Sequence, residues 1–139
     1  MKRNATAVWE GTGKEGKGNL TTQSTVLNKT QYSFNSRFAE GVGTNPEELI
    51  AAAHAGCFSM SLSATLSQEG FTAGDIFTTA TIDLDTQTLS IVGIHLKLKA
   101  SLIDGVDESK FIEIAEGAKK NCIVSKALSV PITLDTTYA

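Results

Sequence analysis

The feature that most constrains this chain is the stretch from Asn45 to Gly70. Asn45 is a good helix N-cap, Pro46 fits the first helical position, and Glu48 lies three residues past the cap, the spacing of a capping box. The pattern predicts a helix from Pro46 to about Gln68 that stops at Gly70. Its middle, Leu49-Ile50-Ala51-Ala52-Ala53-His54-Ala55-Gly56-Cys57-Phe58, is apolar or small on nearly every face. A helix of that kind has no side to turn to water. The sequence therefore predicts it buried all round, with Ala and Gly letting a second helix come close.

Shorter patterns surround it. Residues 5–9 alternate and read as a strand, the glycines at 11, 13, 16 and 18 mark a turn, and 19–27 reads as the returning strand. The Gly-Lys stretch lacks the G-x-x-x-x-G-K-[ST] spacing of a phosphate-binding loop. Residues 32–38 alternate again, with Tyr32, Phe34, Ser36 and Phe38 on one face and Arg37 on the other. Beyond the helix, Thr79 to Asp85 and Ile94 to Leu102 read as strands joined by a hairpin. Their inward sets are Ala80, Ile82 and Leu84, and Ile94, Leu96, Leu98, Ala100 and Leu102. A second helix capped near Asp107 presents Phe111, Ile114, Ala115 and Ala118 and ends near Asn121. A short helical piece follows Cys122, and Ile132–Asp135 is the last strand. Strands, helix, strands, helix, strand is an α+β order with mainly antiparallel sheets around a long buried central helix, and 139 residues suit one domain, 1–139.

The net charge is −3, and no basic run is interleaved with aromatics, which argues against nucleic acid as the main partner. Met1-Lys2-Arg3-Asn4 has no apolar stretch behind it, so a signal peptide is not predicted. No segment reads as a membrane span, and a cytoplasmic protein is expected. The Asn-X-Thr sequons at Asn4 and Asn28 then carry no meaning.

Two cysteines, Cys57 and Cys122, are the candidate chemistry. On count alone they are buried spectators or redox partners, and both readings stand. A reactive thiol needs its thiolate, hence a nearby cation or a helix N-terminus. Cys57 falls about twelve residues into its helix, beyond the reach of the helix dipole. Arg37 is the best cation in the sequence, and Glu47 can hold its guanidinium, since Glu48 is assigned to the cap. Arg37 also reads as an ordinary exposed arginine, and Glu47 as a complement to the helix N-terminus. His54 shares the Cys57 face, but a metal site needs three or four ligands and the chain has two histidines; His95 lies on a polar strand face. No metal and no cofactor are predicted. Phe34, Phe38, Phe58 and Met60 are candidates for an apolar substrate pocket or for the core.

The segments Phe34-Asn35-Ser36-Arg37-Phe38, Gly43 to Met60 (GTNPEELIAAAHAGCFSM) and Lys119-Lys120-Asn121-Cys122-Ile123-Val124-Ser125 closely resemble the OsmC (osmotically inducible protein C) family of organic hydroperoxide reductases, in the OsmC/Ohr superfamily. The likeness extends to Ala7-Val8-Trp9-Glu10-Gly11 and Ile132-Thr133-Leu134-Asp135. One departure is Ile123, where the family usually has Pro. The resemblance implies that Cys57 is the peroxidatic thiolate, that Arg37 lowers its pKa and polarises the peroxide, and that Glu47 orients Arg37. It implies that Cys122 resolves the Cys57 sulfenic acid as a disulfide, and that a dithiol, such as dihydrolipoamide on a lipoylated protein, is the reductant. Oxidative and osmotic stress defence would be the role.

Ten helical residues span roughly 15 Å, so Glu47 and Cys57 of one straight helix cannot share a site. Two antiparallel copies crossing near Ala51-Ala52-Ala53 would bring Glu47 of one beside Cys57 of the other. A two-fold homodimer with composite sites is therefore predicted, matching the intertwined dimer that the resemblance implies. The competing functions are a noncatalytic apolar-ligand carrier or redox sensor, and a Cys-dependent hydrolase using His54.

Overall fold

A computed structural model describes all 139 residues. The chain forms two compact units, Met1–Leu49 and Ile50–Ala139, and one helix runs across the boundary between them.

In the first unit, β1 (Ala5–Glu10), β2 (Lys17–Thr22) and β3 (Thr30–Tyr32) form an antiparallel three-stranded sheet. Register places Gly18 between Trp9 and Tyr32, whose ring centroids are 5.3 Å apart; a Cβ on Gly18 would strike both rings. The alternation over 32–38 does not continue the strand. Residues Phe34–Phe38 are a short helix, α1, because Ser33 and Ser36 form a capping box that satisfies the helix start. Phe34 and Phe38 are four apart, so they meet on one helical face, with centroids 5.0 Å apart.

The long helix α2 runs without a break from Pro46 to Gln68, and Gly70 beyond it takes a left-handed φ of 87°. At its start the Asn45 side-chain oxygen, Oδ1, accepts from the Glu48 backbone amide at 2.8 Å, while the Glu48 carboxylate accepts from the Thr44 hydroxyl at 2.7 Å.

In the second unit, β4 (Ile76–Asp85) and β5 (Ser90–Ala100) form an antiparallel hairpin. The last strand, β6 (Ile132–Tyr138), pairs parallel to β5, so this sheet is mixed. A parallel return needs a crossover, and α3 (Glu108–Asn121) and α4 (Ile123–Ala127) supply it. Asp107 caps α3 by accepting from the Lys110 amide at 2.8 Å. The core joins Phe58, Leu62 and Leu66 of α2 to Leu96 and Leu98 of β5 and to Phe111, Ala115 and Ala118 of α3, all fully buried. Each such Leu or Phe contributes about 1.5–3 kcal/mol on burial. Phe111 stacks on Tyr138 at 4.1 Å, and the Tyr138 hydroxyl accepts from the Ile103 amide and donates to the Val106 carbonyl.

Three further expectations need correction. Leu102 is not an inward residue of β5; the strand ends at Ala100, opposite Tyr138 at the end of its partner, and Leu102 is exposed. The long helix is not buried all round. Within the chain only the stripe His54, Phe58, Leu62, Leu66 is buried, while Ala52, Ala53, Gly56, Met60 and Ala64 on other faces are exposed. By length and composition α2 is also apolar enough to cross a bilayer, contrary to the reading that no segment is. Two of its hydroxyls tie it to the rest of the fold: Ser59 bonds the Ala55 carbonyl and Thr78, and Ser61 donates to the Ala118 carbonyl of α3.

Candidate active site

Each unit holds one pair of the predicted residues. In the first, α1 is tied to the start of α2 by two hydrogen bonds. Ser36 donates its buried hydroxyl to the Thr44 carbonyl at 2.8 Å, and Asn45 donates its side-chain amide to the Ser36 carbonyl at 3.0 Å. The next residue on α1, Arg37, is thereby delivered to Glu47 on the first turn of α2. The guanidinium donates Nε–H and Nη2–H to the same carboxylate oxygen, Oε1, at 2.8 and 2.7 Å. Two of its five N–H groups are used, which leaves three for another acceptor. Glu47 is nearly buried, and its Oε2 has no partner. Arg37 also lies over the Phe38 ring at 5.0 Å.

Beside the guanidinium is a cavity of about 260 Å³, lined by Trp9, Tyr32, Phe34, Arg37 and Phe38, with Gly13 and Ser33. Phe34 and Phe38 thus line a pocket as candidates for an apolar substrate wall. Sequence reasoning missed Trp9 and Tyr32, which reach the pocket through the register of β1, β2 and β3. The other two candidates are placed elsewhere. Phe58 is fully buried in the core of the second unit, and Met60 stands out from α2, 76% exposed.

In the second unit Cys57 and Cys122 come together. Cys57 is half-buried on α2, and Cys122, 1% exposed, is the joint between α3 and α4. Their thiols are close enough to act on each other. Burial pushes the Cys57 thiol up from its ordinary value, the Val124 amide opposes this, and the Cys122 thiol adds to it. These are dipoles and a thiol, none of them a cation. Burial acts the same way on Cys122, but the Ser125 amide, the Cys57 thiol, the Ser125 hydroxyl and the Val124 amide outweigh it and bring Cys122 below the ordinary value. Cys122 makes no close capping bond with its side chain, so the amides of α4 reach its sulfur at longer range. Ile123 occupies the first position of α4, where proline is tolerated because its N–H has no intrahelical acceptor. Isoleucine keeps that N–H, and it acts on the Cys57 sulfur.

His54 is fully buried, and its Nε2 lies 2.7 Å from the buried Ser125 hydroxyl. His95 pairs instead across the surface of the sheet with Thr133 at 2.7 Å and Asp135 at 3.3 Å. No group of three or more His, Cys, Asp and Glu side chains is placed to hold a metal ion.

Residues 39–137 match the family model described as OsmC-like protein. The chain is 48% identical to peroxiredoxin OsmC of Escherichia coli K12 over 130 residues, 93% of this chain and 91% of that one. It is 33% identical to organic hydroperoxide resistance protein-like 2 of Staphylococcus epidermidis over 102 residues, 70% of each. The fold is shared with an OsmC-like protein of Mycoplasma pneumoniae at 14% identity, with a TM-score of 0.77 and coverage of 100% of this chain and 98% of that one. Taken with two cysteines brought together in one core cluster and an arginine held by the Glu of Asn-Pro-Glu, these likenesses mean that the chain belongs to the OsmC-like protein family.

Proposed function

We propose that this protein is a thiol peroxidase that reduces organic hydroperoxides to alcohols. The observation that carries the reading is the nearness of a half-buried thiol, Cys57, to a buried one, Cys122, within one core cluster of the reduced chain. Access assigns the roles. A peroxide can reach Cys57, whereas Cys122 has almost no exposed surface and can react only with its neighbour. The Cys57 thiolate attacks the distal peroxide oxygen, the O–O bond breaks, and the alkoxide leaves and takes a proton to become the alcohol. The sulfenic acid left on Cys57 is then attacked by Cys122, releasing water and forming a disulfide that a dithiol must reduce. The names of the relatives, a peroxiredoxin and organic hydroperoxide resistance proteins, support the substrate class.

The missing element in one copy of the chain is a cation for Cys57. Helix α2 is continuous, so Glu47 and Cys57 stand roughly 15 Å apart along it. We assign the cation to Arg37 of a second copy, held by Glu47 of that copy, in a two-fold dimer whose α2 helices cross on their small-residue faces. The exposed Ala52, Ala53 and Gly56 allow that approach, and a Cβ added at Gly56 would meet nothing within 4 Å in the single chain. The aromatic pocket beside Arg37 would then receive the organic part of the peroxide. A cytoplasmic location suits the two free thiols.

Treating the reduced protein with cumene hydroperoxide and analysing it by mass spectrometry tests the reading. Stoichiometric loss of peroxide, a Cys57–Cys122 bridge and loss of both in Cys57→Ser are expected. Binding of an apolar ligand that survives Cys57→Ser, with no peroxide consumed, would point to a carrier instead. Light scattering should give a dimer.

A further inference from the structure

We propose that His54 and Ser125 form a buried, uncharged hydrogen-bond relay that holds Cys122 as the nucleophile of the second step. The proposal rests on the peroxidase reading for its purpose, though not for its geometry. His54 projects from α2 three residues before Cys57, and Ser125 from α4 three residues after Cys122. Their contact, at 2.7 Å, joins segments 71 positions apart, and both side chains are buried. The mechanism above uses neither of them.

The hydrogen bonding fixes a direction. His54 Nδ1 is buried with no partner. An imidazolium would carry an N–H there with no acceptor, as would the Nδ1–H tautomer, and a buried orphan donor is rarer than an orphan acceptor. The neutral ring with its proton on Nε2 leaves only a lone pair unmatched. Nε2–H then donates to Ser125 Oγ, which leaves the Ser125 hydroxyl hydrogen free to turn away from the ring; the acceptor the proposal assigns to it is the Cys122 sulfur, at the N-cap of the same short helix. From α2 the titratable groups facing Cys122 are Cys57 and, through Ser125, His54; from α4 the acting groups are the amides of Val124 and Ser125. A hydroxyl oriented by a neutral donor favours the thiolate without bringing a second charge into the core.

In the second step the Cys122 thiolate contributes the electron pair of the new S–S bond. The S–O bond of the Cys57 sulfenic acid breaks, and hydroxide leaves with that pair and takes one proton from solvent to become water. Both sulfurs are oxidised to the disulfide level by the peroxide consumed in the first step. His54 and Ser125 are positioning residues: neither touches the peroxide.

Two measurements test this. In Cys57→Ser protein, ultraviolet absorbance titrates the Cys122 thiolate in the absence of any peroxide. Adding Ser125→Ala or His54→Leu should move its appearance to higher pH, while Ser125→Thr and His54→Gln, which keep the hydroxyl and the N–H donor, should restore it. In protein with both cysteines, the rate of disulfide formation should fall about tenfold in Ser125→Ala, a hydrogen bond to a charged sulfur being lost, with its pH profile displaced the same way. A Cys122 titration identical in Ser125→Ala and its Ser125 parent overturns the relay. Failure of the protein to reduce cumene hydroperoxide overturns the peroxidase reading instead, and the titration still decides the relay.

Discussion

Replacing Glu47 with glutamine removes the carboxylate charge but keeps an oxygen where Arg37 needs one. In the native pair Oε1 accepts two guanidinium N–H groups at 2.8 and 2.7 Å. Hydrogen bonds with a charged partner are worth about 1.5–3 kcal/mol and neutral ones about 0.5–1.5 kcal/mol, so the change forfeits about 1 kcal/mol per bond. The Arg37 side chain is 42% exposed, and water recovers part of that loss. Against this, the new amide nitrogen replaces Oε2, a buried atom with no partner, and its two N–H donors would go unmatched. A net weakening of about 1–2 kcal/mol in the hold on Arg37 corresponds to about a five- to thirtyfold fall in the properly placed guanidinium. In the proposed mechanism that guanidinium lowers the barrier for the Cys57 thiolate to attack. Single-turnover consumption of cumene hydroperoxide by stopped flow should therefore slow by about that factor in Glu47→Gln. The circular dichroism should stay unchanged, since the pair sits at the surface end of α2. A first-step rate within twofold of wild type, in folded Glu47→Gln, would refute the claim that Glu47 positions the cation.

Two other outcomes follow from burial. Phe58→Ala should lower stability to urea unfolding by about 3–5 kcal/mol, because the ring is fully buried among core residues, and an effect confined to the KM for peroxide would contradict that placement. His54 should make stability fall in acid. Burial holds its folded-state pKa below the ordinary 6.5, so protonation favours the unfolded chain. The contribution is constant above about pH 6.5 and is lost as pH drops below it, by at most about 1.4 kcal/mol per pH unit, and urea midpoints should show a shallower acid slope in His54→Gln.

Local signals were legible in the sequence wherever the physics was local. The bounds of α2 are set by Asn45, Pro46 and Gly70, and the start of α3 by Asp107, all within a turn of the residues they control. Over 32–38 two local signals compete. Tyr32, Phe34, Ser36 and Phe38 alternate as a strand would, yet Phe34 and Phe38 are also one helical turn apart, and seven residues are too few for the period to decide. The Ser33–Ser36 box decides it. The pairing of Arg37 with Glu47 was readable because only ten residues separate two complementary charges. The His54–Ser125 contact was not, because it depends on how α4 packs against α2 and leaves no local pattern. Nor could sequence rank the two thiols: in one copy of the chain burial raises Cys57, while the dipoles of α4 lower Cys122.

The burial of α2 was misjudged for a reason that bears on function. Hydropathy reports that a face avoids water, but not which surface covers it. One stripe of α2, at four-residue steps from His54 to Leu66, fills the core of its own unit with bulky side chains. Another, through Ala52, Ala53, Gly56, Met60 and Ala64, is apolar but exposed, and except for Met60 it is built of residues too small to fill a core. Small side chains serve close approach by something flat and long, such as a second helix. The same helix carries Glu47 at its start and Cys57 in its middle, so an antiparallel crossing between them moves each toward the other's counterpart. The proposed dimer would answer the apolar excess of α2 and the lack of a cation at Cys57 together, with a second copy of the same helix.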